Sequence, residues 1–255
     1  MDGRSPRLVY GIVPAGSGVE PAVSGVTVHR GFDVVEHRRV GALASIVPGP
    51  FDATPDDLRA HLAVLDDVME RTTVLPMRFG VVLDSPRAVI DELLAPGESL
   101  FADLLSRMRG LVEMRVRAVY REDQVLAEIL RDHPELRRRH EALRGLPQDA
   151  TYFERIELGR SLAEAMSAKA RRDAQWVHQR VAELALDVSP GEPPAERRVT
   201  TASFLVRRRD TGSFVREVER IAKDAGGVLD IRAVGPMPPF SFVDLQIGTL
   251  DGASR

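Results

Sequence analysis

At residue 121 the periodicity of the chain changes, and neither an all-sheet nor an all-helix fold accommodates both sides of the change. Before it, Val112, Met114, Val116, Ala118 and Tyr120 alternate with Glu113, Arg115, Arg117 and, past Val119, Arg121. That period of two is expected of a half-buried strand with its charged side chains turned to water. After it, residues 122–188 are rich in alanine, leucine and charge, broken only at His133-Pro134 and Gly145-Leu146-Pro147. Proline and glycine at those points divide the stretch into three helices. In the last of them Ile156, Ala163, Ala170, Val177 and Leu184 recur every seventh residue, which predicts a narrow apolar seam along roughly 50 Å of helix and a packed antiparallel neighbour.

The second half continues with Ser189-Pro190-Gly191-Glu192-Pro193-Pro194, the most linker-like segment of the chain, followed by a strand over 200–206. A helix over 214–225 ends at Gly226-Gly227, and a strand over 228–234 follows. The order strand, helices, strand, helix, strand is compatible with a ferredoxin-like sandwich carrying a helical insertion. The fold class expected is therefore α+β in two domains: an N-terminal α+β domain over 1–110 and a ferredoxin-like C-terminal domain over 111–246 with its insertion at 122–188. Residues 247–255 form a tail. A chain of 255 residues is long enough for two modest domains.

In the first half, the apolar run 8–13 ends at Pro14-Ala15-Gly16 and reads as a buried strand and a turn. Two β-rich stretches, 26–35 and 40–47, flank the charged Glu36-His37-Arg38-Arg39 and suggest a hairpin closed by Pro48-Gly49-Pro50. Thr54-Pro55-Asp56-Asp57 supplies a capping hydroxyl, a proline for the first turn and acids that suit the helix dipole. Leu58, Leu62, Leu65 and Met69 then mark the expected buried face of this helix. Ser85-Pro86 starts a second helix through Leu94, and Pro96-Gly97 separates it from a short third one over 98–107.

Composition narrows the chemistry. The 44% hydrophobic and 29% charged residues are those of a folded globular chain. The balance of 35 Lys+Arg against 38 Asp+Glu gives a net charge of -3 and no field that favours nucleic acid or anionic lipid. Cysteine is absent, which removes disulfides, thiolate nucleophiles and cysteine-ligated metals and fits a reducing cytosol. No run of 18 apolar residues and no signal-peptide core appears, so export and a membrane span are not expected. The histidines His29, His37, His61, His133, His140 and His178 are scattered without ligand spacing, so no metal site is expected. Phosphate-cradling glycine motifs are missing, and Ser161 lies within a helical pattern rather than on a nucleophile elbow. Asp56-Asp57 and Asp66-Asp67 read as caps or solvated faces, and Arg137-Arg138-Arg139 and Arg207-Arg208-Arg209 lack the interleaved aromatics of a nucleic-acid surface. No catalytic residue and no cofactor is assigned.

Two segments ask for more than structure. Leu75-Pro76-Met77-Arg78-Phe79-Gly80 puts a proline and a charge into an extended apolar run. Pro236-Met237-Pro238-Pro239-Phe240-Ser241-Phe242 is an extended strap in which Phe240 and Phe242 are expected to point the same way and, with Pro239, to pin the two domains together.

With Tyr10-Gly11-Ile12, His61, Arg115-Val116 before Tyr120, Glu157-Leu158-Gly159 and the close through Val243, these segments resemble the gas vesicle protein F/L family over nearly the whole chain. Phe240 stands where that family often shows tyrosine, so a hydroxyl is absent while the packing role is kept. The resemblance implies a cytoplasmic, gas-vesicle-associated protein that is no enzyme. Its partner would be the small hydrophobic shell protein, with other gas vesicle accessory proteins as further partners. It would act as a minor vesicle component or as a factor limiting premature aggregation. It also implies an N-terminal α+β domain and a modified ferredoxin-like C-terminal domain. Arg78 and Phe79 are the candidate contact residues, because they combine apolar reach with a charge. Two alternatives remain open on the residues alone: a small-ligand regulatory module on a ferredoxin-like fold, and an enzyme whose groups converge only in space.

Overall fold

The computed structural model describes residues 5–20, 31–47, 53–195, 197–243 and 245. It divides into two compact units, one of Met1–Glu113 with Pro236–Arg255 and the other of Met114–Gly235. The expected boundary at residue 110 thus moves to 113/114, and the closing strap, expected in the C-terminal domain of 111–246, belongs to the first unit. The tail expected over 247–255, the proline cluster at 48–50 and the start of the strand expected over 26–35 lie outside the described residues.

The first unit is built on a sheet ordered β2-β3-β1-β4, with strands β1 (Arg7–Pro14), β2 (Asp33–His37), β3 (Val40–Ile46) and β4 (Leu75–Pro76). A further short strand, β5 (Val82–Leu83), also pairs with β1. The hairpin of β2 and β3 closes through Arg38-Arg39, where Arg38 takes a positive φ of 51° and both arginines reach Glu98, Arg39 Nε at 2.8 Å from Oε1. Helix α1 (Pro55–Arg71) starts at a full capping box: Thr54 Oγ1 accepts from the Asp57 N–H, and the Thr54 N–H donates to Asp57 Oδ2.

The face α1 buries is His61, Val64, Leu65, Val68 and Met69, whereas Leu58 and Leu62 are exposed. The expected stripe was rotated because it counted only leucine and methionine and passed over the histidine. Proline 96 does not separate two helices either. Helix α2 (Pro86–Ala88), capped by Ser85 Oγ, runs through a π-helical turn (Val89–Leu94) into α3 (Ala95–Arg107). In that turn the Ala95 N–H reaches Ile90 O, five residues back, and the widened turn carries the chain into a helix with proline in its first turn.

The second unit is a four-stranded sheet ordered β7-β8-β6-β9, formed by β6 (Leu111–Tyr120), β7 (Asp187–Ser189), β8 (Arg198–Arg207) and β9 (Leu229–Met237). The Pro-Gly segment is the turn of the antiparallel β7–β8 hairpin rather than a linker. Between β6 and β7 lie α4 (Glu122–Asp132), α5 (Pro134–Leu143) and α6 (Tyr152–Ala182), the three helices expected, and α7 (Thr211–Asp224) lies between β8 and β9.

Helix α6 spans 31 residues, but not on the expected seam. Ala170 and Val177 are buried with Leu158, Ala174 and Val181, while Ile156 and Ala163 are exposed and Leu184 falls beyond the helix end. A straight helix drifts about 20° per heptad, so a strict seven-residue repeat leaves the core over this length. The buried stripe instead steps mostly by four.

Polar contacts fix the helices on the sheet. The Tyr120 hydroxyl donates to Asp173 Oδ2 at 2.7 Å, and Lys169 Nζ lies 3.1 Å from the same oxygen and 3.2 Å from Glu128 Oε2. Burial first, and then Asp173, raise the Tyr120 phenol above its ordinary range, so it stays a donor. On α6, Arg180 binds Glu217 and Asp224 of α7. Tyr120→Phe leaves the partly buried Asp173 short of one donor, and urea unfolding should show a loss of about 1–3 kcal/mol.

Candidate functional site

The close approach of β1 to the segment before Arg78 organises the first unit's candidate site. A Cβ at Gly11 would sit 2.7 Å from Leu75 O, 2.9 Å from Val74 Cγ2 and 3.0 Å from Leu65 Cδ2, so only glycine lets these backbones meet. The register runs Val9↔Ala44 and then Gly11↔Leu43, which makes Tyr10 the extra residue of a bulge. A bulge re-aims a side chain, and here the Tyr10 hydroxyl lies 2.9 Å from Ser45 Oγ while its ring stands 5.2 Å from His61.

His61, on the buried face of α1, locks the Leu75–Gly80 segment. Its Nε2 is 3.2 Å from Met77 O and so donates as the neutral imidazole, and the Met77 N–H donates to Tyr10 O at 2.9 Å. The Phe79 ring meets the His61 ring edge-on at 5.4 Å. His61 Nδ1 is buried without a hydrogen-bond partner. Desolvation holds the His61 pKa below the ordinary histidine value, against the smaller opposing effect of the Met77 carbonyl.

Of the two candidate contact residues, Arg78 is exposed and Phe79 is half-buried against the core of the unit. The histidine lock therefore leaves Arg78 at the surface and lays the phenyl of Phe79 along the core edge.

In the strap, Pro239 is buried and Phe240 and Phe242 are half-buried, with Phe240 packed on the same core. The chain is not extended here: Phe240 N–H donates to Pro238 O and Phe242 N–H to Pro239 O, so the strap ends in a turn. The expectation of two rings on one side of an extended path is corrected accordingly.

What closes the strap is a residue that the sequence reading placed in water. Glu113 is buried, its Oε2 accepting from the Ser241 N–H at 2.8 Å and its Oε1 from the Ser241 hydroxyl at 2.9 Å. The alternation along β6 gave no hint of this, because the partner lies 128 residues away. Among the described residues no group of three or more histidines, aspartates and glutamates is placed to hold a metal ion, and no described helix is long and apolar enough to cross a membrane.

The model of the family described as "Gas vesicle synthesis protein GvpL/GvpF" matches residues 6–244. The chain belongs to this GvpL/GvpF family. It is 35% identical over 210 residues to gas vesicle protein F of Streptomyces sp. (strain CB03234), covering 80% of this chain and 85% of that protein. It is 23% identical to gas vesicle protein F of Haloferax mediterranei, over 94% and 93% of the two chains. The fold is that of the crystal structure of GvpF from Anabaena sp. PCC7120, with a TM-score of 0.79, 22% identity and coverage of 95% of this chain and 99% of that one. GvpF from Microcystis aeruginosa gives a TM-score of 0.73 over 94% and 100%.

Gly11, His61 and the strap are thus packing devices of the first unit: Gly11 for approach, His61 for the lock, and the strap for closure. Because folding favours neutral His61, stability is full above the unfolded histidine pKa of about 6.5 and is lost as pH falls below it. Urea midpoints of the wild type between pH 7.5 and 5 should fall more steeply than those of His61→Leu, in which this proton site is gone.

Proposed function

We propose that this member of a gas vesicle synthesis family is a non-catalytic assembly factor, working in the cytoplasm and at the gas vesicle. It binds the hydrophobic shell protein, covering apolar surface until the shell polymerises, and meets other gas vesicle proteins there. The match to the family over residues 6–244 is the observation that carries this reading. A subunit with exposed apolar surface self-associates unless a complementary surface covers it. The reading takes the second unit as a modified ferredoxin-like domain, on the strength of its strand order β7-β8-β6-β9 and its helical insertion at 122–188. It assigns no cofactor, nucleic acid, membrane or small-molecule substrate.

Arg78 and Phe79 are proposed as one contact, since the lock on Met77 exposes the arginine beside a half-buried phenyl. Co-expression with the shell protein, followed by affinity purification, tests both levels. The wild type should retain shell protein in a defined ratio, and a folded Arg78→Glu variant should retain several-fold less. Equal retention by the variant removes Arg78 from the interface, and no retention by the wild type removes the function.

A further inference from the structure

The α5–α6 hairpin of the second unit ends in a cluster of apolar side chains that the core does not use. Phe153 is 77% exposed, Tyr152 61%, Ile156 51% and Leu146 48%. The two rings touch edge-on with centroids 5.4 Å apart, and Ile156 follows one helical turn later on the same side.

The cluster is held rigidly. Arg155 Nη2 donates to Leu143 O at 2.8 Å and to Leu146 O at 3.1 Å, and its Nε donates to Thr151 Oγ1 at 2.9 Å. Thr151 Oγ1 donates in turn to Pro147 O at 3.0 Å, and Arg139 pairs with Glu157 across the hairpin. A half-buried arginine and a buried threonine thus fasten the loop that carries Leu146 to the first turn of α6. Rings presented in this way lose little conformational entropy when they are covered.

Two observations identify what covers them. Taking about 150–250 Å² for a whole aromatic side chain, the four exposed groups offer roughly 500 Å². That is within the size of a functional patch but below the ~800 Å² per partner of a stable interface. The area suits a short segment better than a second copy of this chain. The hairpin's charge is balanced: among the described residues of 137–157, Arg137, Arg138 and Arg144 have no side-chain partner, and neither do Glu141, Asp149 and Glu154. A hairpin carrying both signs gives no attraction to a surface of one sign, such as an anionic bilayer, which leaves an apolar peptide segment as the occupant that fits.

We infer that Leu146, Tyr152, Phe153 and Ile156 form the docking surface for a short apolar segment of the shell protein. This rests on the proposed shell-binding function but not on Arg78.

The test is capture of co-expressed shell protein by the full chain, comparing the wild type, Phe153→Glu, Tyr152→Ser/Phe153→Ser and a control, Leu186→Glu, which replaces an exposed leucine outside the hairpin. Circular dichroism and thermal melting establish that each is folded, which these exposed positions permit. The expected result is a loss of about tenfold or more in captured shell protein for both hairpin variants, with Leu186→Glu unchanged.

Undiminished capture by the hairpin variants overturns the inference and leaves the proposed function standing. No capture by the wild type overturns both. Light scattering that shows a dimer in the wild type and a monomer in Phe153→Glu assigns the surface to a second copy and overturns the inference. Sedimentation of the wild type, but not of Phe153→Glu, with phosphatidylglycerol vesicles assigns it to lipid, with the same consequence.

Discussion

The first unit depends on how closely β1 approaches the backbone of residues 74–77. Its neighbours on that side are Val74 and Leu75, and a single methyl group at Gly11 would collide with the Leu75 carbonyl oxygen. The approach lets the Met77 N–H reach Tyr10 O and brings Met77 O under His61. The bulge at Tyr10 turns its ring toward the same histidine. A neutral imidazole, buried and half-satisfied, is a costly centrepiece, and its environment makes it a hydrogen-bond donor to structure rather than a base toward a substrate. The segment that carries Arg78 and Phe79 is thus a rigid edge set by packing.

Much of the architecture was legible in local sequence, and the parts that were not share one cause. Thr54-Pro55 and Ser85-Pro86 start helices because capping and proline chemistry act within three residues. The switch at residue 121 separates β6 from α4 because period alone distinguishes strand from helix. Glu113 was missed because its burial depends on Ser241, and the strap was assigned to the wrong unit for the same reason. Pro96 was read as a break because a π-helical turn leaves no local mark that separates it from a loop. On α6, the seven-residue repeat captured Ala170 and Val177 but sent Ile156 to the core, where a 3.6-residue helix does not bring it.

That last error concealed the most informative surface of the second unit. Ile156 was read as a core residue of the helical seam and Tyr152 and Phe153 drew no reading of their own, and only their exposure together with Leu146 separates them from core residues. Adjacent aromatic rings left in water on the first turn of a helix that an arginine and a threonine fasten to its loop are rarely without a use. For the candidate site the situation is reversed. The residues on which the resemblance was read, Gly11, His61 and Leu75–Gly80, mostly hold the first unit together. They therefore report the scaffold more directly than the contact.

The central claim, that this protein works by covering apolar shell surface with a preformed one of its own, is tested most directly by amide hydrogen exchange on the protein with and without bound shell protein. The account predicts slowed exchange over residues 75–80 and 144–157, with little change in the strands of the second sheet. Unchanged exchange over both segments in a verified complex would contradict it.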